Sequence, residues 1–125
     1  MGKFVIHPTK TGFTFHLKAA NGEVIATSEV YKKKLSCLKG AASVAKCAAV
    51  AQVEDLTAET PVPQKCPKFE LYTDAGGKLR FRLKASNGQV IASSQGYKSR
   101  AAALNGIESV KTNAPGAPVE EEVAE

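Results

Sequence analysis

Phe15-His16-Leu17-Lys18-Ala19-Ala20-Asn21-Gly22-Glu23-Val24 returns as Phe81-Arg82-Leu83-Lys84-Ala85-Ser86-Asn87-Gly88-Gln89-Val90. An internal repeat with a period of about 66 residues is the signature of a duplicated structural unit. The register extends outward from the phrase. Ile25-Ala26, Ser28, Tyr31-Lys32, Leu38, Gly40, Ser43-Val44, Ala51 and Val53-Glu54 recur as Ile91-Ala92, Ser94, Tyr97-Lys98, Leu104, Gly106, Ser109-Val110, Ala117 and Val119-Glu120. Matches spread this evenly specify an architecture rather than one short binding motif.

Within the phrase, Phe13, Phe15, Leu17 and Ala19 alternate with Thr14, His16 and Lys18, and Leu79, Phe81, Leu83 and Ala85 alternate with Arg80, Arg82 and Lys84. That period of two reads as a strand with one buried and one wet face. Before it come a short apolar run (Phe4-Val5-Ile6; Phe69-Glu70-Leu71-Tyr72) and a glycine-bearing turn. Asn21-Gly22 and Asn87-Gly88 follow it as hairpin turns favouring positive φ, and Val24 to Ser28 and Val90 to Ser94 form third strands. The alanine-rich segments 33–46 and 99–112 read as helices. Ser99 is the expected N-cap of the second, and Asn113 its left-handed C-cap before Pro115. Gly40 and Gly106 lie inside the helices, where glycine costs about 1 kcal/mol relative to alanine, so a close approach of helix to sheet is expected there. A final segment in each copy, Ala51 to Glu54 and Ala117 to Glu120, reads as a fourth strand, which Pro118 confines to an edge or a strand start.

The units divide as 1–58 and 68–121, with a proline-rich linker over 59–67 and an acidic tail over 122–125. Half of a 125-residue chain falls near the ~60-residue length at which burial is marginal, so one shared core is expected. The fold class is α+β. It is a pseudo-twofold tandem repeat of β-β-β-α-β units, with one mainly antiparallel sheet and two helices packed on one face.

At this point the residues carry a resemblance. The phrase F-x-L-K-A-x-N-G-x-V-I-A, then Ser94 to Ser99 and Leu104 to Lys111, resembles the YegP-like family of small bacterial and archaeal proteins of unknown function. The resemblance covers nearly the whole chain in two copies. It implies a β(3)-α-β unit, as a tandem pair or as a dimer of single units, forming one sheet with exchanged C-terminal strands. It implies no activity. The first copy departs from the pattern at Val30, Ala41, Ala42, Ala45 and Cys47, where the second has Gly96, Ile107, Glu108, Lys111 and Asn113.

No catalytic, cofactor or metal residues are expected. His16 corresponds to Arg82, so a histidine site would exist in one copy only, and Glu23 and Glu29 become Gln89 and Gln95. Cys37, Cys47 and Cys66 are an odd number at wide spacing without C-x-x-C, which reads as reduced thiols. Ser28 and Ser94 lack a base and read as strand-end polarity. Asp74-Ala75-Gly76-Gly77-Lys78 leads into a strand rather than a helix and reads as a hairpin turn, not a phosphate loop.

The net charge is +5, and no apolar run approaches the ~20 residues that span a bilayer. With no signal sequence at the start, a cytoplasmic, membrane-free, monomeric protein is expected. A basic stripe of His16, Lys18, Arg80, Arg82 and Lys84 on the wet strand face is the candidate binding surface. Arg80, Arg82 and Lys84 are expected to project into water, so replacing those three should leave the fold intact. The first reading is a non-enzymatic binding or scaffold module for a protein or small ligand. The alternative is weak, sequence-indifferent nucleic-acid binding through that stripe, against which the scarcity of aromatic side chains counts.

Overall fold

In the computed structural model, residues 2–60 and 63–121 are described; the acidic tail 122–125 falls outside them, as does 61–62 of the linker. The first unit forms β1 (Lys3–Pro8), β2 (Phe13–Lys18), β3 (Val24–Thr27), α1 (Lys34–Ala48) and β4 (Gln52–Asp55). The second repeats the order as β5 (Lys68–Thr73), β6 (Leu79–Lys84), β7 (Val90–Ser93), α2 (Arg100–Asn113) and β8 (Val119–Glu121). All eight strands belong to one mixed sheet, ordered β4-β5-β6-β7-β3-β2-β1-β8.

That order exchanges the last strands. β4 leaves the first unit to pair in parallel with β5, Val53 opposite Phe69, and β8 leaves the second to pair in parallel with β1, Val119 opposite Phe4. All other pairings are antiparallel, and the units meet where Thr27 of β3 faces Ser93 of β7. Those two residues are equivalent in the repeat, so the pseudo-twofold axis passes between them. Matching ion pairs tie each helix start to the strand received from the other unit: Lys34 to Glu121, and Arg100 to Asp55.

One core serves both halves. α1 packs on β1 and β2 and crosses the axis to β7, and α2 packs on β5 and β6 and crosses to β3. The four phenylalanines Phe4, Phe15, Phe69 and Phe81 are fully buried. Phe4 meets Phe15 edge-on with ring centroids 5.8 Å apart, and Phe69 meets Phe81 at 6.0 Å; such pairs contribute about 1 kcal/mol beyond their burial. Tyr31 and Tyr97 stack on Phe15 and Phe81 at 6.3 and 6.2 Å. Burial raises both phenols above their ordinary pKa, with the charges of Glu29 and Glu23 respectively adding to the shift. Ser28 and Ser94 lock these corners. Each hydroxyl accepts from the backbone N–H of Phe15 or Phe81 at 2.9 Å and donates to the next residue's carbonyl.

Two local expectations are corrected. In the Asn-Gly turns only Gly22 and Gly88 take positive φ, at 87° and 84°, and Ala19 N–H reaches across to the Glu23 carbonyl. The loop is therefore three residues closed by a glycine bulge. Asn21 and Asn87 accept from the backbone N–H two residues on, holding the turn by their side chains rather than by a left-handed backbone. Asn113 likewise is no left-handed cap. It lies inside α2, donating its amide back to the Ser109 carbonyl and hydroxyl, and the cap residue Ala114 is right-handed. Ser99 does cap α2, accepting from Ala102 N–H at 3.1 Å, whereas Lys33 gives α1 no side-chain cap.

Candidate functional site

The sheet face away from the helices carries the residues of the basic stripe. Register places Val5 opposite His16, His16 opposite Thr27, and Lys3 opposite Lys18 in the first unit. In the second, Glu70 faces Arg82, Lys68 faces Lys84, and Tyr72 faces Arg80. The two halves differ chemically because Val5 and His16 stand where the second unit has Glu70 and Arg82.

In the second unit the cations are held by acids. Glu70, its side chain 6% exposed, accepts from Arg82 Nε at 2.7 Å and lies 3.3 Å from both Lys84 Nζ and Lys68 Nζ. Lys68 bridges on to Glu54 of the exchanged strand at 2.8 Å, as Lys3 does to Glu120 in the other half. Arg80 gives Nε to Asp74 at 2.6 Å and Nη1 to the Ser94 carbonyl, beside a cleft of about 440 Å³ where β3 and β7 diverge. Arg82 also lies over the Tyr72 ring at 4.6 Å. Burial alone would push the Glu70 carboxyl up, but hydrogen bonds from Arg82, Lys84 and Lys68 outweigh it and hold the group below its usual range. Glu54 and Asp74 are held low by their bonds to Lys68 and Arg80. Arg80, Arg82 and Lys84 are thus half-buried members of an ion-pair network, not free cations on a wet strand. Across the axis, His16 Nδ1 lies 3.2 Å from Thr27 Oγ1 and its ring 5.8 Å from that of His7, and Lys18 is half-buried.

A second surface escaped the strand-based reading. The outward face of α1 carries Leu35, Lys39, Ala42 and Lys46, all exposed, with Lys32 and Lys33 just before the helix. No acidic residue occurs between Tyr31 and Gln52. Among the described residues, Lys32, Lys33, Lys39 and Lys46 form no ion pair; Lys34 is held by Glu121. Equivalent positions on α2 read Ala101, Asn105, Glu108 and Thr112. Beside α1 runs a groove of about 470 Å³, lined by Phe4, Leu38, Ala41, Ala42, Ala45 and Val119 among others, with Lys46 the one charged residue on its wall among the described residues. On α2 the bulk missing from that groove is present as Ile107, Glu108 and Lys111, and Lys111 Nζ reaches 5.9 Å from the Phe69 ring centre. The signal was in the sequence as the three alanines of the first copy, but only helix phase and the position of β8 turn them into a groove.

Among the described residues, no group of three or more His, Cys, Asp or Glu could hold a metal, and no helix is long and apolar enough to cross a membrane. Cys37 and Cys47 are buried, Cys66 is half-buried and all three are free; burial pushes the Cys37 thiol up.

A family model described as "Domain of unknown function (DUF1508)" matches residues 9–55 and 74–121. The UPF0339 protein PA0329 of Pseudomonas aeruginosa is 42% identical over 121 residues, covering 96% of each chain. A UPF0339 protein of Methanosarcina acetivorans is 64% identical over 52 residues, which are 42% of this chain but 90% of that one. The solution structure of YegP from E. coli, a protein of unknown function, superposes with a TM-score of 0.79 at 37% identity, covering 99% of this chain and 95% of that one.

Proposed function

Because this chain belongs to the DUF1508 family, whose function is unknown, we propose a role from its own surface: a non-enzymatic binding module that docks an acidic protein on the lysine face of α1. The observation that carries this is the charge contrast between two copies of one helix. Both copies solve the same packing problem, so Lys39 and Lys46 in place of Asn105 and Thr112, and Ala42 in place of Glu108, are not demanded by the fold. Lysines that pair with no acid among the described residues leave a positive potential that draws an acidic partner within about a Debye length, ~8 Å at physiological salt. Exposed Val30, Leu35 and Val50 flank them and suit a protein contact better than a phosphate backbone. The sheet face supports a nucleic-acid reading less, because Glu54, Glu70 and Asp74 stand among its cations. In this reading the chain works as a monomer, its second unit supplying the partner a lone unit would need. Three free thiols suit the reducing cytoplasm.

The test uses polyglutamate as the acidic probe at low salt. The chain should bind it with an affinity that falls as salt rises, and Lys39→Glu with Lys46→Glu should weaken binding roughly tenfold or more without moving the melting temperature. Equal binding by the double variant, or tighter binding to an oligonucleotide than to polyglutamate, counts against the proposal.

A further inference from the structure

We infer that the groove between α1 and β8 receives the apolar face of an acidic amphipathic helix from a partner protein, an inference that rests on the reading of α1 as the contact face. The groove is a departure from the repeat. Ile107, Glu108 and Lys111 of the second unit, the last of which lies over the Phe69 ring, are cut back to Ala41, Ala42 and Ala45, which line the groove with Phe4. A recess of about 470 Å³ with mostly apolar walls lies within the usual size of a recognition pocket, and its lining on α1 runs from Leu38 to Lys46, about two helical turns. Alanines at its wall let a second helix approach to the ~8 Å separation of closely packed pairs.

Charge selects the occupant. Lys39 and Lys46 are seven residues apart on one stripe, about 10.5 Å along the axis, the separation of acidic residues seven apart on a partner helix. Among the described residues, the acids of β8 on the opposite side, Glu120 and Glu121, are paired with Lys3 and Lys34. An apolar groove flanked by cations is therefore complementary to a helix with aliphatic residues on one face and carboxylates beside them. A membrane surface fits less well, since lipid contact calls for apolar side chains that protrude, whereas this apolar area is recessed. A nucleic acid would leave the recess empty.

The probe is a capped peptide of repeated Leu-Glu-Glu-Leu-Ala-Glu-Ala heptads, titrated into the isotope-labelled full chain and followed by amide shifts. Saturable shifts are expected at Leu38, Ala42, Ala45 and Val119, and none at Leu104, Glu108 and Lys111. A counterpart with serine for leucine should bind about tenfold more weakly. Ala41→Ile with Ala45→Gln, which refills the groove, should reduce the leucine peptide to the affinity of the serine one; Ala45→Gln alone serves if the pair does not fold. Lys39→Glu with Lys46→Glu should weaken both peptides. Serine and leucine peptides binding alike, or the refilled variant binding normally, would overturn the groove while leaving the lysine face standing. Normal binding of both peptides by the lysine variant would overturn the lysine face itself. No binding of the leucine peptide, or binding of phosphatidylglycerol vesicles in its place, would also overturn the groove.

Discussion

Gly106→Val should destabilise the protein by about 2–3 kcal/mol, the upper part of the range of core overpacking. A Cβ at Gly106 would lie 2.5 Å from Tyr97 Oη and 2.8 Å from Phe81 Cε2. Tyr97 is stacked on Phe81, its backbone is bridged to Leu79, and Phe81 is 1% exposed beneath them. Helix propensity works the other way, since glycine is about 1 kcal/mol worse than alanine in a helix interior, so Gly106→Ala should lose less than Gly106→Val. The equivalent Gly40→Val should also cost less, because its nearest Phe15 atom is 3.1 Å away rather than 2.8 Å. Urea denaturation of the three variants checks the order, and a Gly106→Val midpoint equal to wild type would mean that helix and sheet are not in contact there.

Arg82→Gln combined with Lys84→Gln should cost about 2 kcal/mol. The figure lies below the 3–5 kcal/mol of a fully buried broken pair because Arg82 and Lys84 keep 34% and 26% of their side chains in solvent. What remains is Glu70, nearly buried, with Lys68 shared between it and Glu54. Adding Glu70→Gln should recover much of the loss, whereas additive effects in that cycle would show that the carboxylate is not the cause. Lys18→Gln, on the half where Val5 replaces the acid, should stay within about 0.5 kcal/mol. The pH dependence follows in sign. Glu70 has a folded pKa below its unfolded value of about 4.3, so its contribution is fully present above that value and is lost as pH falls through the folded pKa. Wild type should therefore lose more stability on acidification than the triple variant.

The period-two alternation around Phe15 and Phe81, the glycine punctuation and the second copy made strands, helices and pairing of units legible, because each is a local or repeated pattern. Gly40 and Gly106 were readable for the same reason: a costly residue kept in both copies asks for a packing cause. The ion pairs were not readable. Glu70 with Arg82, and Glu54 with Lys68, become neighbours only through cross-strand register, so the sequence showed the alternating cations of β6 and hid their acids. Nor can one unit's pattern say whether its fourth strand returns home. Val53 fits a place beside Phe4 or beside Phe69 equally well in composition, and the linker and the matched ion pairs Lys34 to Glu121 and Arg100 to Asp55 belong to the exchanged arrangement. Asn113 misled because an asparagine before Pro115 suits a helix stop, whereas here its amide is satisfied by Ser109 one turn back.

Exchange of β4 and β8 is the centre of this account, and a chain of residues 63–125 alone tests it most directly. It lacks β4, and its β8 has lost β1, so both of its sheet positions can be filled only by another copy of itself. That a relative spans little more than one such unit makes the comparison apt. Sedimentation with amide NMR should find the half-chain folded only as a dimer, its secondary structure disappearing on dilution as the copies separate. A half-chain that stays monomeric with the full dispersion of amide shifts would show that each unit closes its own sheet, and would contradict the exchanged fold.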